Sequence, residues 1–440
     1  MRKMKDSGIE WIGEIPEDWE VKPIKSLFSF GKGLPITKDN LIENGSSVIS
    51  YGQIHSKNNI GVQIVDDLKR FVSETYLDTN PNSLVHKGDF IFADTSEDLE
   101  GCGNFVYVDK EDILFAGYHT IILFSKQNIN NKYLAYLFKT DAWRCQIRGL
   151  CSGVKLFSIS KKILGQTRII LPMVHEQQQI ADFLDEKVSQ IDSTITKTRE
   201  SIEEYKKLKQ SIITEAVTKG LNPNAKMKDS EIDWIGEIPE VWEVRRTKYI
   251  TKAMNKGNGI TKDQIVQDGD SPCVRYGEIY SKYDNAFCEC ITRTNKSLYN
   301  VLQYFSFGDI LFACTGELPE EIGKNIVYLG NEKCLAGGDI IVLSHSQEPR
   351  FLNYVYNSYG QTQKSLGKTK LKVVHISASE IANIVVALPP ISEQQQIADY
   401  LDKKCSEIDA LITKKEQLVV ELEAYKKSLI YEVVTGKREV

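Results

Sequence analysis

A chain of 440 residues exceeds what one hydrophobic core normally organises, so two globular units are expected. Its 41% hydrophobic and 26% charged residues exclude a disordered polymer, and no apolar run reaches the roughly 18 residues that span a bilayer. The net charge of −5 excludes a uniformly basic polyanion binder. The nine scattered cysteines, of which only Cys288 and Cys290 are close, suit reduced thiols rather than a disulfide framework or zinc. The opening MRKMKDSGIEWIG has no apolar leader, and the expected location is the cytoplasm.

The first stretch, residues 1–171, carries short β-rich runs: SVISYGQI, DFIFAD, NFVYV and TIILFS. Gly, Asn and Asp separate them, which predicts strands. A helix is predicted over 131–146, where Tyr133, Leu134, Leu137 and Phe138 share a face. Residues 172–222 read as one long helix, opened by Pro172 and HEQQQ and stopped by Gly220 and Pro223. Leu184, Val188, Ile191, Ile195, Thr198, Ile202, Tyr205, Lys209, Ile212 and Ala216 follow in steps of four and three, the seam of a coiled coil.

The chain then says the same things again. SGIEWIGEIPEDWEVK at 7–22 returns as SEIDWIGEIPEVWEVR at 230–245. LPMVHEQQQIADFLD at 171–185 returns as LPPISEQQQIADYLD at 388–402. YGEI answers YGQI, and GDILFACTG answers GDFIFADTS. Residues 223–388 therefore repeat the first globular stretch and 389–440 repeat the helix. The second seam is Leu401, Cys405, Ile408, Ile412, Lys415, Val419, Leu422, Lys426, Leu429 and Val433. Duplication predicts pseudo-two-fold architecture. Each helix of roughly 43 residues, about 64 Å, needs a partner for its apolar stripe. The other helix serves, as an antiparallel pair holding the globular segments at opposite ends. The fold class is α+β, two mixed α/β domains separated by an antiparallel coiled coil. The WIGEIPxxWEV phrases are expected to lock each domain onto a helix end through Trp11, Pro16 and Trp19, and Trp234, Pro239 and Trp242.

Two windows lack acids altogether. Ala142–His175 holds Arg144, Arg148, Lys155, Lys161, Lys162 and Arg168. Pro349–Ser379 holds Arg350, Lys364, Lys368, Lys370 and Lys372. Their matched places suggest anion-binding surfaces. Catalytic motifs are missing. Gly367-Lys368-Thr369 ends like a phosphate loop, but Gly360 lies too far upstream. No GxGxxG follows a strand and opens a helix, and no HExxH, GxSxG or Asp/Asn-Pro-Pro-Tyr/Phe loop occurs.

The phrases DWIGEIPEVWEV, YGEI, GDILFACTGE, LPP–EQQQIADYLD and AVTKGLNPN cover nearly the whole chain in one order, and in that order it resembles the specificity (S) subunit of a type I restriction-modification enzyme. The resemblance implies two target-recognition domains, each reading half of a split, asymmetric DNA sequence, with the helices as a ruler. It implies two copies of a modification subunit that methylates adenine with S-adenosylmethionine. It also implies a restriction subunit driven by ATP with Mg, and no catalysis in this chain. An alternative is the specificity subunit of a type II-like system whose partner fuses methyltransferase and nuclease.

On that reading, phosphate contacts are expected from the basic windows and base contacts from polar residues that differ between halves. The first half offers Ser50, Tyr51, Gln53, His55, Lys57, Thr95 and Ser96, with Arg144, Arg148 and Lys155 for the backbone. The second offers Arg275, Tyr276, Glu278, Tyr280, Lys282, Thr315 and Glu317, with Lys364, Lys368, Lys370, Lys372 and His375.

Overall fold

The computed structural model describes residues 2–126, 129–153, 155–316, 318–368 and 374–440. The chain packs as two compact units. Unit 1 is Met1–Arg199 with Gln417–Val440, and unit 2 is Glu200–Glu416. No helix among the described residues is long and apolar enough to cross a membrane.

Unit 1 is built on two four-stranded sheets. One is antiparallel, in the order Phe105–Tyr107, Phe90–Ala93, Thr120–Ser125, Phe28–Lys32. The other runs Arg70–Val72, Ser46–Ile49, Leu114–Ala116, Leu84–Val85, with Ser46–Ile49 parallel to Leu114–Ala116. Phe90–Ala93 is buried along its whole length, which is why its sequence FIFA shows no polar alternation. The expected helix over 131–146 is two helices, Asn131–Lys139 and Asp141–Arg148. Thr140 divides them. Its hydroxyl accepts from Trp143 N and so caps the second helix. The expected strand SVISYGQI also divides: Ser46–Ile49 is a strand, but Tyr51–Ile54 is one helical turn. Gln53 lies three residues after Ser50 and its side chain accepts from Ser50 N, the return arm of a capping box.

Unit 2 repeats the plan. Its larger sheet runs Thr251–Lys256, Ile340–His345, Ile310–Ala313, Asn325–Tyr328, Ala286–Phe287, and so carries an extra edge strand. Its second sheet runs Thr292–Thr294, Ser271–Val274, Cys334–Ala336, Tyr304–Phe305, again with one parallel pair.

The central helix is Val174–Lys219 and the C-terminal helix Ile391–Val434. Gly220, at φ +73°, ends the first. A Cβ there would press on Glu393 and on Trp242, so glycine is needed twice over. Within unit 1, Leu184, Val188, Ile191 and Ile195 join Val419, Leu429 and Val433 in the buried core. Lys426 pairs with Asp192 at 2.5 Å and Arg199 with Glu423 at 2.6 Å. Within unit 2, Lys209 pairs with Asp409 at 2.6 Å and Lys415 sits 5.5 Å from the Tyr205 ring centre. In each unit the partner number falls as the central-helix number rises, so the segments are antiparallel. Each seam lysine is matched by a group on the facing helix, which keeps its charge from costing the apolar stripe.

Trp19 and Trp242 are buried, at 1% and 0% exposure. Trp19 Nε1 donates to Glu176 at the start of the central helix, and Arg2 bridges Glu176 and Asp18. Tyr133 stacks edge-on to Trp19, and its hydroxyl donates to Ile170 O and Val434 O. The locking role thus falls to Trp19 and Trp242. Trp11 and Trp234 are instead exposed, at 45% and 37%.

Candidate nucleic-acid interface

In unit 1 the fold gathers the turn Tyr51–Ile54, the strand Thr95–Ser96 and the strand Phe157–Ser158, the latter two paired antiparallel. That pairing sets Ser158 of the basic window against Thr95, one of the predicted readers. His55 is the clamp. Its Nε2 donates to Thr95 O at 2.8 Å, because a carbonyl only accepts, and its Nδ1 accepts from Asn104 at 3.0 Å. Tyr51 meets His55, Tyr118 and His119 edge-on, with ring centres 5.4–6.4 Å apart. Lys57 and Lys155 stand exposed beside this cluster in sequence, whereas Ser50 and Ser96 are buried. Ser50 and Ser96 are therefore not presented to a ligand.

Tyr118 and His119 were not legible as site residues. His119 takes φ +54°, a conformation few side chains adopt, and its Nδ1 lies 3.2 Å from Asp94. The signal available was Gly-Tyr-His between two strands, a turn carrying two aromatic rings.

Unit 2 builds the same cluster from different residues. Tyr280, at the place His55 holds, donates its hydroxyl to Thr315 O at 3.1 Å. Thr315–Gly316 pairs with Val374–His375, and Thr315 Oγ1 lies 3.3 Å from His375 Nδ1. Glu278 was expected to read bases. It is instead 5% exposed and accepts from Arg275 N and Thr292 Oγ1, so its carboxylate caps the helix Tyr276–Ser281. Arg275 is drawn back onto Glu278 at 3.2 Å. Tyr276, at 41% exposure, and Lys282 remain presented to solvent. Glu317, Lys370 and Lys372 lie outside the described residues.

The basic windows are acid-free in sequence but not in space. Arg350 is held by Glu348, Asp399 and Asp402 at 2.6–3.0 Å, and these acids hold its guanidinium above the usual arginine range despite burial. Lys368 pairs with Glu380 and donates to His375 O. Lys364 is 2% exposed, with Nζ on Gly323 O and Asn325 Oδ1. It is a core residue and, against expectation, offers no charge to a phosphate. In the first window Arg148 pairs with Asp141 and donates to Glu100 O, while Arg144 donates to Phe138 O. Burial lowers the Arg144 pKa to about 10. Both guanidinium groups line a cleft of about 930 Å³, with Lys139, Lys426 and Lys427. Lys139 donates to Ile60 O there, and burial, then the charge of Lys426, lowers its pKa to about 8. Lys155, Lys162 and Arg168 are the exposed cations of the window.

No set of three or more His, Cys, Asp or Glu among the described residues is placed to hold a metal. The family described as type I restriction modification DNA specificity domain matches twice, over residues 16–204 and 239–421. The chain belongs to this family. It is 27% identical over 438 residues to the putative type I restriction enzyme MjaX specificity subunit of Methanocaldococcus jannaschii, covering 98% of this chain and 96% of that one. It is 20% identical to the EcoKI specificity subunit of Escherichia coli, over 91% of this chain and 84% of that one. A chain solved in work on complex assembly and conformational transition of a type I restriction-modification system matches with a TM-score of 0.73, at 17% identity, over 96% of this chain and 99% of that one. The HsdS subunit of Thermoanaerobacter tengcongensis matches with a TM-score of 0.56, at 17% identity, over 96% and 98%. The double family match fits a specificity subunit with two repeated recognition domains, as the internal repeat predicts.

Proposed function

We propose that this chain is the DNA-reading subunit of a type I restriction-modification complex and is not itself an enzyme. Each unit reads one half of a split, asymmetric target, and the paired helices set the unread spacer. Two modification subunits methylate adenine with S-adenosylmethionine, and a restriction subunit uses ATP and Mg to translocate and cut. The complex works in the cytoplasm, on chromosomal and incoming DNA.

One observation carries the reading. The two units share the strand order of two four-stranded sheets, to which unit 2 adds one edge strand, and the clamp onto Thr95 or Thr315, yet differ in the side chains on that clamp, His55 in one and Tyr280 in the other. One scaffold with two faces suits two different half-sites, where a symmetric dimer would impose a palindrome. Lys57, Lys155, Tyr276, Lys282 and His375 are the exposed candidates for DNA contact, with Lys162 and Arg168 for phosphates. The likeness is to type I specificity subunits, so the type II-like alternative is not favoured.

The test is methylation profiling of host DNA carrying this chain with its modification subunit, and with each omitted. A bipartite adenine-methylated motif that needs both supports the reading. A motif that persists without this chain refutes it.

A further inference from the structure

One cleft in unit 1 takes no part in the DNA contacts proposed above. It holds about 930 Å³, within the range of small-molecule sites. It is lined at the break between the helices Asn131–Lys139 and Asp141–Arg148, and by the stretch 423–431 of the C-terminal helix. Lys139, Arg144, Arg148, Lys426 and Lys427 bring positive charge to it. The carboxylates on its lining are Glu100, Asp141 and Glu423. Asp141 is engaged by Arg148 and Glu423 by Arg199, while Lys426 is engaged by Asp192. Among the described residues no carboxylate pairs with Lys139 or Arg144. Each is half-buried and donates to one backbone carbonyl, Ile60 O for Lys139 and Phe138 O for Arg144. Arg148 Nε is enclosed and meets no acceptor. Burial lowers the pKa of both Lys139 and Arg144, and a neighbouring cation adds to it, Lys426 for the first and Arg148 for the second. The cleft thus gathers like charges that burial already disfavours, a cost that a bound anion would offset.

We infer that this cleft binds a small phosphate-bearing anion, whose oxygens are held by Lys139, Arg144 and Arg148. Two cations left without carboxylates suit a dianion, and the forked donors of arginine match its tetrahedral oxygens. The rim decides between a small anion and a duplex. Asp141 and Glu423 expose 70% and 46% of their side chains there. A DNA backbone crossing the mouth would meet these carboxylates before it met the cations within, whereas a compact anion passes between them. The site belongs to unit 1 alone. YLFKT at 136–140 is answered by YVYNS at 354–358, so Asn357 stands where Lys139 does. Its amide donates to Asn285 Oδ1 and Asn325 O and carries no charge.

The test is calorimetric titration of the full chain with inorganic phosphate, the ionic strength being held constant with sodium chloride. The expected result is one saturable site per chain, half-filled below about 1 mM. Lys139→Met keeps the aliphatic stem and removes the charge, and should weaken binding roughly 10-fold or more. Lys427 is exposed. Lys427→Gln therefore leaves the core untouched, should weaken binding about 3-fold, and decides the matter should Lys139→Met fail to fold. A wild-type chain with no saturable site would overturn the inference, as would wild-type affinity in both variants. So would displacement of phosphate by a duplex of unrelated sequence, which would make the cleft part of the DNA path. All three outcomes leave the function proposed above standing, because the cleft is no part of its evidence.

Discussion

An ε-amino group enclosed without a carboxylate is costly, and Lys364 is such a group. Its Nζ rests on Gly323 O and Asn325 Oδ1 at 2.7 and 2.8 Å, and burial holds its pKa well below 10.5. Lys364→Ala strands both acceptors and opens a cavity, so urea unfolding of unit 2 should lose about 2–4 kcal/mol. His345 gives the pH dependence its sign. Burial, then the charge of Lys252, lowers its pKa from 6.5 to about 4. The folded state thus prefers the neutral ring, while the unfolded chain binds a proton below about 6.5. Stability is intact above that value and falls as the pH drops toward 4, by at most about 3 kcal/mol for this group. The urea midpoint of His345→Gln should lose that part of the acid sensitivity. Neither residue's state is legible in sequence, where Lys364 sits in an acid-free run that reads as an anion-binding surface.

Among the elements, legibility followed length. The seam of the two helices was readable because a period sustained over tens of residues leaves little ambiguity, and Leu184, Ile195, Leu401 and Leu429 are buried as that period required. The turn Tyr51–Ile54 was read as strand because four residues carry no period, and the deciding contact is one glutamine side chain reaching back to Ser50. The partners of two cations in the second basic window are hidden for a related reason. Arg350 is neutralised by Glu348, just before the window, and by Asp399 and Asp402 on the C-terminal helix, and Lys368 by Glu380, just past the window's end. The helix pair itself separates apolar from ionic contributions. Leu429→Ala, at a site 1% exposed, should cost about 2–4 kcal/mol. Asp192→Asn, which breaks the half-exposed pair with Lys426, should cost under about 1 kcal/mol. Equal losses in urea unfolding would mean that the ion pair, not the seam, holds the helices together.

For the whole molecule, the proposed reading makes helix length a quantity that DNA can report. The central helix crosses from unit 1 to unit 2 after Arg199, and the C-terminal helix crosses back after Glu416. Four residues inserted after Arg199, matched by four after Glu416, add about one turn, or about 6 Å, to each helix. Matching the insertions preserves the pairs Asp192–Lys426 and Lys209–Asp409 on either side, and a four-residue step changes the phase of the seam only slightly. At about 3.4 Å per base pair, that length corresponds to one or two base pairs. The expected methylation motif keeps both half-sites and has a spacer longer by one or two. Neither clamp is touched, so a changed half-site would mean that the helices shape the readers. An unchanged spacer in an active complex would mean that something other than these helices measures the distance, and the ruler role would fall while the reading roles stood.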